Sequence, residues 1–188
     1  MNSIKFLTRS ELQRLLVAAR EHGIRDYCMI LLAYRHGLRC AEICEMRCDQ
    51  VDCDAQRILC VRRKGSVTNW QELVKDEVDA VTAWLPHRPF PDSQYMFVTC
   101  RGGPLNHSRF RRILKSIGME AGVPPERAHP HALKHSIAVH MVEADIPVQL
   151  IQRRLGHRSI ENTMVYLSIA DSHVDRVVRN ARQDGYIA

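Results

Sequence analysis

Three side chains that could hold an anion recur at helical spacing in the C-terminal half of the chain. His131, Lys134 and His135 stand at positions i, i+3 and i+4, which places them on one face of a helix. Two imidazoles and an ammonium on one face could bind a phosphate. The same spacing also fits a solvated helix face. A metal site formed by His131 and His135 is less favoured, because no acidic residue lies between them.

Two further polar positions follow. Gly156-His157 comes directly after an apolar helical segment, and Tyr166 comes later in the chain. A histidine here could move protons, and a tyrosine hydroxyl could act as a nucleophile. Taken singly, the glycine is typical of a helix C-cap and the tyrosine is typical of a protein core.

Apolar residues at helical spacing predict that most of the chain is helical. Thr8 and Glu11 form a capping box ahead of the first helix, and Pro86 ends the fourth helix. The predicted helices cover residues 10–22, 27–34, 40–46, 76–85, 106 or 108 to 121, 131–144, 147–155, 160–167 and 172–182. These helices would position the polar residues described above.

The pattern changes between residues 52 and 74. Ile58 and Cys60 alternate in part with less apolar neighbours, Lys64-Gly65-Ser66 is typical of a turn, and Trp70 could begin a returning strand. The sequence therefore predicts a small antiparallel β-hairpin or meander with Lys64 at its turn. The predicted fold class is mainly α with one small antiparallel β-sheet (α+β).

The composition fits a folded domain that is compatible with a polyanionic partner. The 188 residues are 45% apolar and 26% charged, and 27 Lys and Arg against 21 Asp and Glu give a net charge of +6. Residues 101–188 carry the surplus, with 13 basic and 8 acidic side chains. Such a surplus is compatible with nucleic acid without establishing it. The absence of a signal peptide and of a membrane-length apolar run predicts a cytoplasmic protein with no membrane partner.

Seven cysteines in a chain with no export signal predict reduced thiols rather than a disulfide framework. Cys40, Cys44 and Cys48 recur at four-residue spacing, which would stack them on one helical face. No CxxC pair accompanies them, so buried thiols are favoured over a zinc site.

Five motifs in a fixed order carry a resemblance to a known family. They are Gly37-Leu38-Arg39-Cys40-Ala41-Glu42-Ile43, Lys64-Gly65, His131-Ala132-Leu133-Lys134-His135, Leu155-Gly156-His157 and Thr163-Met164-Val165-Tyr166. In this order they resemble the tyrosine recombinase (phage integrase) family, over residues 7–166. The resemblance implies that family's catalytic-domain fold and a site-specific DNA recombinase of the integrase or invertase type. The layout is similar to that of the Fim-type DNA invertases.

The resemblance also implies roles for individual residues. The implied catalytic set is Arg39, Lys64, His131, Lys134, His157 and Tyr166, supported by Glu42 and His135. A phosphodiester gains negative charge in its transition state, so Arg39 and Lys134 would clamp its oxygens. Tyr166 would form a covalent 3′-phosphotyrosyl intermediate, and Lys64 would protonate the departing 5′ oxygen. No metal ion and no cofactor are implied.

The resemblance implies double-stranded DNA as the partner. It also implies that the protein acts in the cytoplasm, at the nucleoid. The predicted phosphate contacts are the cations on the helix before His131 and those around His157. They are Arg109, Arg111, Arg112, Lys115, Arg153, Arg154 and Arg158. The tail, residues 168–188, has an amphipathic pattern. The resemblance implies that this tail packs into a neighbouring protomer of a tetrameric synapse, whereas a helix folded onto its own domain is the alternative.

Two features depart from the family pattern. Lys134 stands where the family has arginine, and an ammonium cannot reproduce the two-pronged grip of a guanidinium on phosphate. A slow enzyme is therefore predicted, with Lys134→Arg faster. The catalytic domain would span residues 1–188 with no N-terminal core-binding domain, so an accessory DNA-binding protein could supply the missing contacts.

Two alternatives stay open at this point. A type IB topoisomerase would share the chemistry but would relax DNA without a specific site. A catalytically impaired DNA-binding or regulatory module would keep the motifs without cleaving DNA. The compact spacing from His157 to Tyr166 favours a recombinase over a topoisomerase.

Overall fold

A computed structural model describes residues 4–63 and 65–169. In this part of the chain the helices are α1 (Arg9–His22), α2 (Ile24–Arg35), α3 (Cys40–Cys44), α4 (Lys75–Trp84), α5 (His107–Glu120), α6 (Pro130–Glu143), α7 (Val148–Leu155) and α8 (Glu161–Met164). The strands are β1 (Val51–Asp52), β2 (Arg57–Cys60) and β3 (Asn69–Glu72), which form one antiparallel sheet in the order β1-β2-β3. Ile58 pairs with Val51 on one side and with Gln71 on the other. The predicted fold class is confirmed.

Helix starts follow the capping residues. The Thr8 hydroxyl accepts from the Glu11 amide at 3.2 Å, and the Glu11 carboxylate accepts from the Thr8 amide at 2.8 Å, which confirms the predicted capping box. Asn106, rather than Ser108, caps α5, because its Oδ1 accepts from the Ser108 amide at 2.7 Å.

Several sequence expectations differ from the structure or lie outside the residues that it describes. The predicted helix 160–167 is too long, because α8 ends at Met164 and Tyr166 lies in the turn before a 3₁₀ segment, Leu167–Ile169. The predicted helix 40–46 is also too long. Since α3 ends at Cys44 and Cys48 begins a separate 3₁₀ segment, the three thiols do not share one helical face. Lys64 and the predicted helix 172–182 lie outside the described residues.

Two apolar clusters hold the helices together. The larger one joins α1, α2, α4, α5 and the sheet, where Leu15, Leu32, Ile58 and Phe110 are fully buried. The smaller one consists of Ala138, Val139, Val142, Ile151, Leu155 and Tyr166. Helix α6 contributes to both clusters, which explains why most of its residues are buried. Within residues 4–63 and 65–169, no helix is both long and apolar enough to cross a membrane.

The segment before α1 is tied along α6. The Leu7 amide donates to Ser136 Oγ at 2.7 Å, and His140 Nε2 donates to the Leu7 carbonyl at 2.9 Å. The side chain of Ile4 packs against the smaller cluster. Two long-range hydrogen bonds therefore fix Leu7 beside α6, the helix that carries His131, Lys134 and His135.

Two glycines allow close packing of the loops that surround the polar residues. Gly37 has φ +56°, and a Cβ atom there would lie 2.6 Å from Leu155 Cδ2. Gly156 has φ +68°, and a Cβ atom there would lie 2.7 Å from the Val67 carbonyl oxygen. A side chain at Gly37 would press against the end of α7, and a side chain at Gly156 would push the loop that carries His157 away from the segment between β2 and β3.

Candidate active site

A cleft of about 410 Å³ opens where the loop after α2, the start of α6 and the segments after α7 and α8 meet. Five of the six predicted catalytic residues line it, together with His135; they are Arg39, His131, Lys134, His157 and Tyr166. The sixth, Lys64, lies outside the described residues, although its neighbours Gly65 and Ser66 line the cleft. Residues more than 100 positions apart in the sequence thus meet in one place.

Arg39 stands at the N-cap of α3 and is held by two side chains. Its Nη1 donates to Glu42 Oε1 at 2.8 Å, and its Nη2 donates to Ser66 Oγ at 2.9 Å. Burial alone would raise the pKa of Glu42, but the Arg39 amide and the Arg62 charge hold that pKa below its usual value. Glu42 therefore stays ionised and orients the Arg39 guanidinium beside the cleft.

Arg62 is an organising residue that sequence reasoning missed. Its fully buried guanidinium donates to Glu42 Oε2 at 3.0 Å and to the carbonyls of Gly37, His36 and Arg154 at 2.9, 2.7 and 2.8 Å. These bonds join the loop after α2, the end of α7 and the segment between β2 and β3. No local pattern distinguishes Arg62 from its neighbour Arg63, so the sequence carried no sign of this role.

Lys134 is buried in the wall of the cleft. Its Nζ donates to the Gly37 carbonyl at 2.7 Å and to the Leu155 carbonyl at 3.2 Å. Burial and then the charge of Arg62 lower the pKa of Lys134 to about 7. An ammonium has three N–H donors. Two of them bind these carbonyls and so connect the loop after α2 with the end of α7, and the third is available to a ligand in the cleft.

The two histidines of the predicted catalytic set, His131 and His157, are neutral near pH 7. His157 Nδ1 shares a hydrogen bond with Thr163 Oγ1 at 2.9 Å, and burial followed by the Lys134 charge lowers the pKa of His157 to about 4. His131 is exposed at the mouth of the cleft, where desolvation and then the Arg111 charge lower its pKa. Each ring can therefore donate one hydrogen bond without adding a positive charge.

Tyr166 is almost fully buried, with 3% of its surface exposed. Its Oη lies 2.9 Å from His135 Nδ1, and burial raises the pKa of the Tyr166 phenol to about 12. Burial, and then the neighbouring His131, lower the pKa of His135 to about 4. At neutral pH the hydroxyl is therefore a phenol bonded to an uncharged imidazole.

Most of the predicted DNA-contacting cations lie on the surface. Arg109, Arg111, Arg112 and Lys115 are exposed on α5, and Arg153 and Arg158 are exposed near His157. Arg154 is different: its Nε donates to the Arg35 carbonyl at 3.1 Å and its side chain packs inward. Arg154 is half-buried because it lies one turn after Ile151 on the inner side of α7, and its contact with DNA stays a prediction.

Replacing Lys134 with arginine should make cleavage faster above neutral pH. With a pKa of about 7, Lys134 is charged at pH 6 but mostly neutral at pH 8, whereas arginine stays charged at both. We expect Lys134→Arg to cleave about 10-fold faster than the unaltered chain at pH 8, and at a similar rate at pH 6. The measurement is the cleavage rate at subsaturating DNA, which reports the ionisation of the free enzyme. Lys75→Arg, at an exposed position of α4, is the control, and an advantage that does not change with pH would contradict the prediction.

A model of the phage integrase family matches residues 5–173, a range that includes the whole cleft except Ile4. The chain belongs to the phage integrase family. A relative in this family, the type 1 fimbriae regulatory protein FimB of Escherichia coli strain K12, is 38% identical over 166 residues, which are 86% of this chain and 82% of FimB. Tyrosine recombinase XerA of Thermococcus kodakarensis is 32% identical over 181 residues, which are 95% of this chain and 63% of XerA.

Solved structures of phage integrase family members agree with this fold. A crystal structure of XerA recombinase matches with a TM-score of 0.83 and 26% identity, covering 97% of this chain and 66% of that one. XerH bound to its difH substrate matches with a TM-score of 0.76 and 21% identity over 87% of this chain and 50% of that one, which shows the fold alone. The resemblance to the tyrosine recombinases, including Fim-type proteins, is confirmed. The chain is a site-specific tyrosine recombinase, and neither the topoisomerase nor the non-catalytic alternative holds.

Proposed function

We propose that this recombinase cleaves and rejoins duplex DNA through a covalent bond between Tyr166 and a 3′ phosphate. The observation that carries the proposal is that Tyr166 lines the same cleft as Arg39, His131 and His157. A phosphodiester in this cleft would meet a nucleophile and several hydrogen-bond donors. That combination is what transfer of a phosphoryl group to a hydroxyl requires.

The cations and imidazoles of the cleft stabilise the charge that grows on the phosphate oxygens. Arg39 is oriented before DNA arrives by its bonds to Glu42 and Ser66, so it does not have to reorganise during the reaction. Lys134 adds its remaining donor, and the neutral rings of His131 and His157 each donate one hydrogen bond. These groups supply the charge stabilisation, so we propose a reaction that uses no metal ion and no cofactor.

We propose Lys64 as the acid that protonates the departing 5′ oxygen. An ammonium can give up its proton at neutral pH when its pKa is lowered, whereas a guanidinium cannot. The support is its place in the sequence, directly before Gly65 and Ser66, which line the cleft. Religation is the reverse reaction, in which a 5′ hydroxyl attacks the phosphotyrosyl bond, and the conserved bond energy removes any need for ATP.

DNA contacts the exposed cations of α5 and of the segment around His157 in this proposal. Replacing Arg109 and Arg112 together with alanine should reduce the slope of log affinity against log salt by about 2, because each phosphate contact contributes about 0.9. Fluorescence anisotropy with a labelled duplex at several salt concentrations measures the slope. Lys75→Ala is the control, since Lys75 is also exposed but is paired with Asp79 on α4. An unchanged slope in the double variant would show that this face of α5 does not meet the DNA backbone.

The resemblance of the motif layout to that of the Fim-type DNA invertases supports DNA inversion as the type of rearrangement. We further propose a tetrameric synapse that assembles through the tail, residues 168–188, and an accessory DNA-binding protein that adds contacts to the catalytic domain of residues 1–188. The reaction would take place in the cytoplasm at the nucleoid. Sedimentation of the DNA complex, with the full chain and with the tail removed, tests the tetramer, which should be lost in the second case.

A plasmid assay tests the function. Two copies of the DNA that flanks the gene are placed on one plasmid in inverted orientation and incubated with the full chain. We expect the segment between them to be inverted, as shown by restriction digestion, and we expect no inversion with Tyr166→Phe. No rearrangement, even with a bacterial extract added to supply an accessory protein, would contradict the proposal.

A further inference from the structure

The hydroxyl of Tyr166 is hydrogen-bonded to the side chain of His135 on α6. His135 Nδ1 lies 2.9 Å from Tyr166 Oη, and the two ring centroids are 5.8 Å apart. Because α6 fixes the histidine and the smaller apolar cluster fixes the tyrosine, both partners are in place before DNA binds.

The direction of this hydrogen bond follows from the charges of the two groups. Burial and the nearby His131, His129 and Lys134 lower the pKa of His135 to about 4, so its ring is neutral at pH 7. A phenol with a raised pKa is also neutral and donates its proton. His135 Nδ1 is therefore the acceptor, and the ring carries its own hydrogen on Nε2.

A phenol that attacks a phosphodiester has to lose its proton. We propose that His135 is the general base for Tyr166: its Nδ1 takes the Oη proton as Oη bonds to phosphorus. The bond from phosphorus to the 5′ oxygen breaks in the same displacement, and its electron pair leaves on that oxygen, which the acid of the site protonates. This inference rests on the proposed covalent reaction of Tyr166.

The two pKa values decide how the proton moves. The pKa of His135 is about 4 and that of Tyr166 is about 12, so proton transfer before the attack would give very little phenolate. The proton therefore has to transfer while the Oη–P bond forms, because the phenol becomes more acidic during that step. An anionic phosphate in the cleft also favours the protonated imidazole. His131, whose ring centroid lies 6.4 Å from that of His135, is exposed and offers an onward route to water.

The chain contains a second tyrosine–histidine pair that serves as an internal comparison. Tyr34 Oη lies 2.9 Å from His140 Nδ1, and these ring centroids are also 5.8 Å apart. This pair lines no part of the cleft, and His140 Nε2 is bound to the Leu7 carbonyl. It is a structural contact with the same geometry and without access to the reacting atoms.

Variants of the full chain test the role of His135. In His135→Asn, the side-chain amide can keep a hydrogen bond to Oη but cannot take its proton. We expect cleavage of a nicked suicide duplex to be about 10²-fold slower, with unchanged DNA affinity. When residue 166 is a fluorinated tyrosine whose phenol is already ionised at the assay pH, most of that loss should disappear. Tyr34→Phe, which removes the comparison hydrogen bond, should cleave at the rate of the unaltered chain.

Each other outcome overturns the inference. If His135→Asn cleaves as fast as the unaltered chain, or if its loss is the same with the fluorinated tyrosine, His135 positions Tyr166 without accepting its proton, and the recombinase proposal stands. If the unaltered chain forms no covalent adduct with DNA, the proposed function itself fails, and the role of His135 fails with it.

Discussion

Replacing Arg39 with alanine should lower the rate of DNA cleavage about 10³-fold. The guanidinium is fixed by Glu42 at 2.8 Å and by Ser66 at 2.9 Å, so it meets the phosphate in a set orientation. A fixed cation contributes most where charge develops, which is in the transition state and not in the bound substrate. Single-turnover cleavage of a nicked suicide duplex should therefore slow far more than DNA binding weakens.

Arg25→Ala is the matched control for Arg39. Arg25 also contacts a carboxylate, Asp26, at 2.7 Å, but it lies at the opposite end of α2. Its loss should leave the cleavage rate unchanged. If Arg39→Ala reduced DNA affinity and cleavage by the same factor, Arg39 would act as a binding cation only, contrary to its proposed role.

Replacing Glu42 with glutamine should destabilise the protein by about 3 kcal/mol, because a buried ion pair is costly to break from one side. Glu42 is the carboxylate partner of Arg62, whose side chain has no exposed surface, and it also binds Arg39. Glutamine keeps the shape of the side chain, so no cavity forms. The loss of stability therefore reports the charge of Arg62 that is left without a carboxylate partner. Thermal unfolding should show a fall in Tm of about 6–12 °C.

The exposed pair of Lys75 and Asp79 provides the comparison for Glu42. Their contact is 2.7 Å long, but both side chains are largely solvated. Asp79→Asn should change the free energy of unfolding by less than about 1 kcal/mol. A similarly small change in Glu42→Gln would mean that the buried network around Arg62 does not depend on this charge.

The fold could be predicted because its determinants are local. Thr8 and Glu11 cap α1 through bonds three residues apart, and apolar spacing gives the helices within a few residues. The order of the five motifs was sufficient for the family and for most of the residues that line the cleft. The ends of the short helices α3 and α8 were predicted less accurately. No capping residue or proline marks these ends in the sequence.

The connections within the site could not be predicted because they are long-range. Lys134 binds the carbonyl of Gly37, 97 positions away, and Arg62 binds the carbonyl of Arg154, 92 positions away. Both acceptors are backbone carbonyls, which no side-chain motif can indicate. The inward position of Arg154 was missed for a related reason, since a run of neighbouring arginines does not show which of them faces the core.

The central claim is that Tyr166 becomes covalently joined to DNA. The measurement is to incubate the full chain with nicked suicide duplexes from the DNA that flanks its gene, isolate the denaturant-resistant adduct, and identify the DNA-linked peptide by mass spectrometry. We predict that the linked residue is Tyr166 and that Tyr166→Phe gives no adduct while it still binds the duplex. An adduct that persists in Tyr166→Phe, or that maps to another residue, would contradict the mechanism.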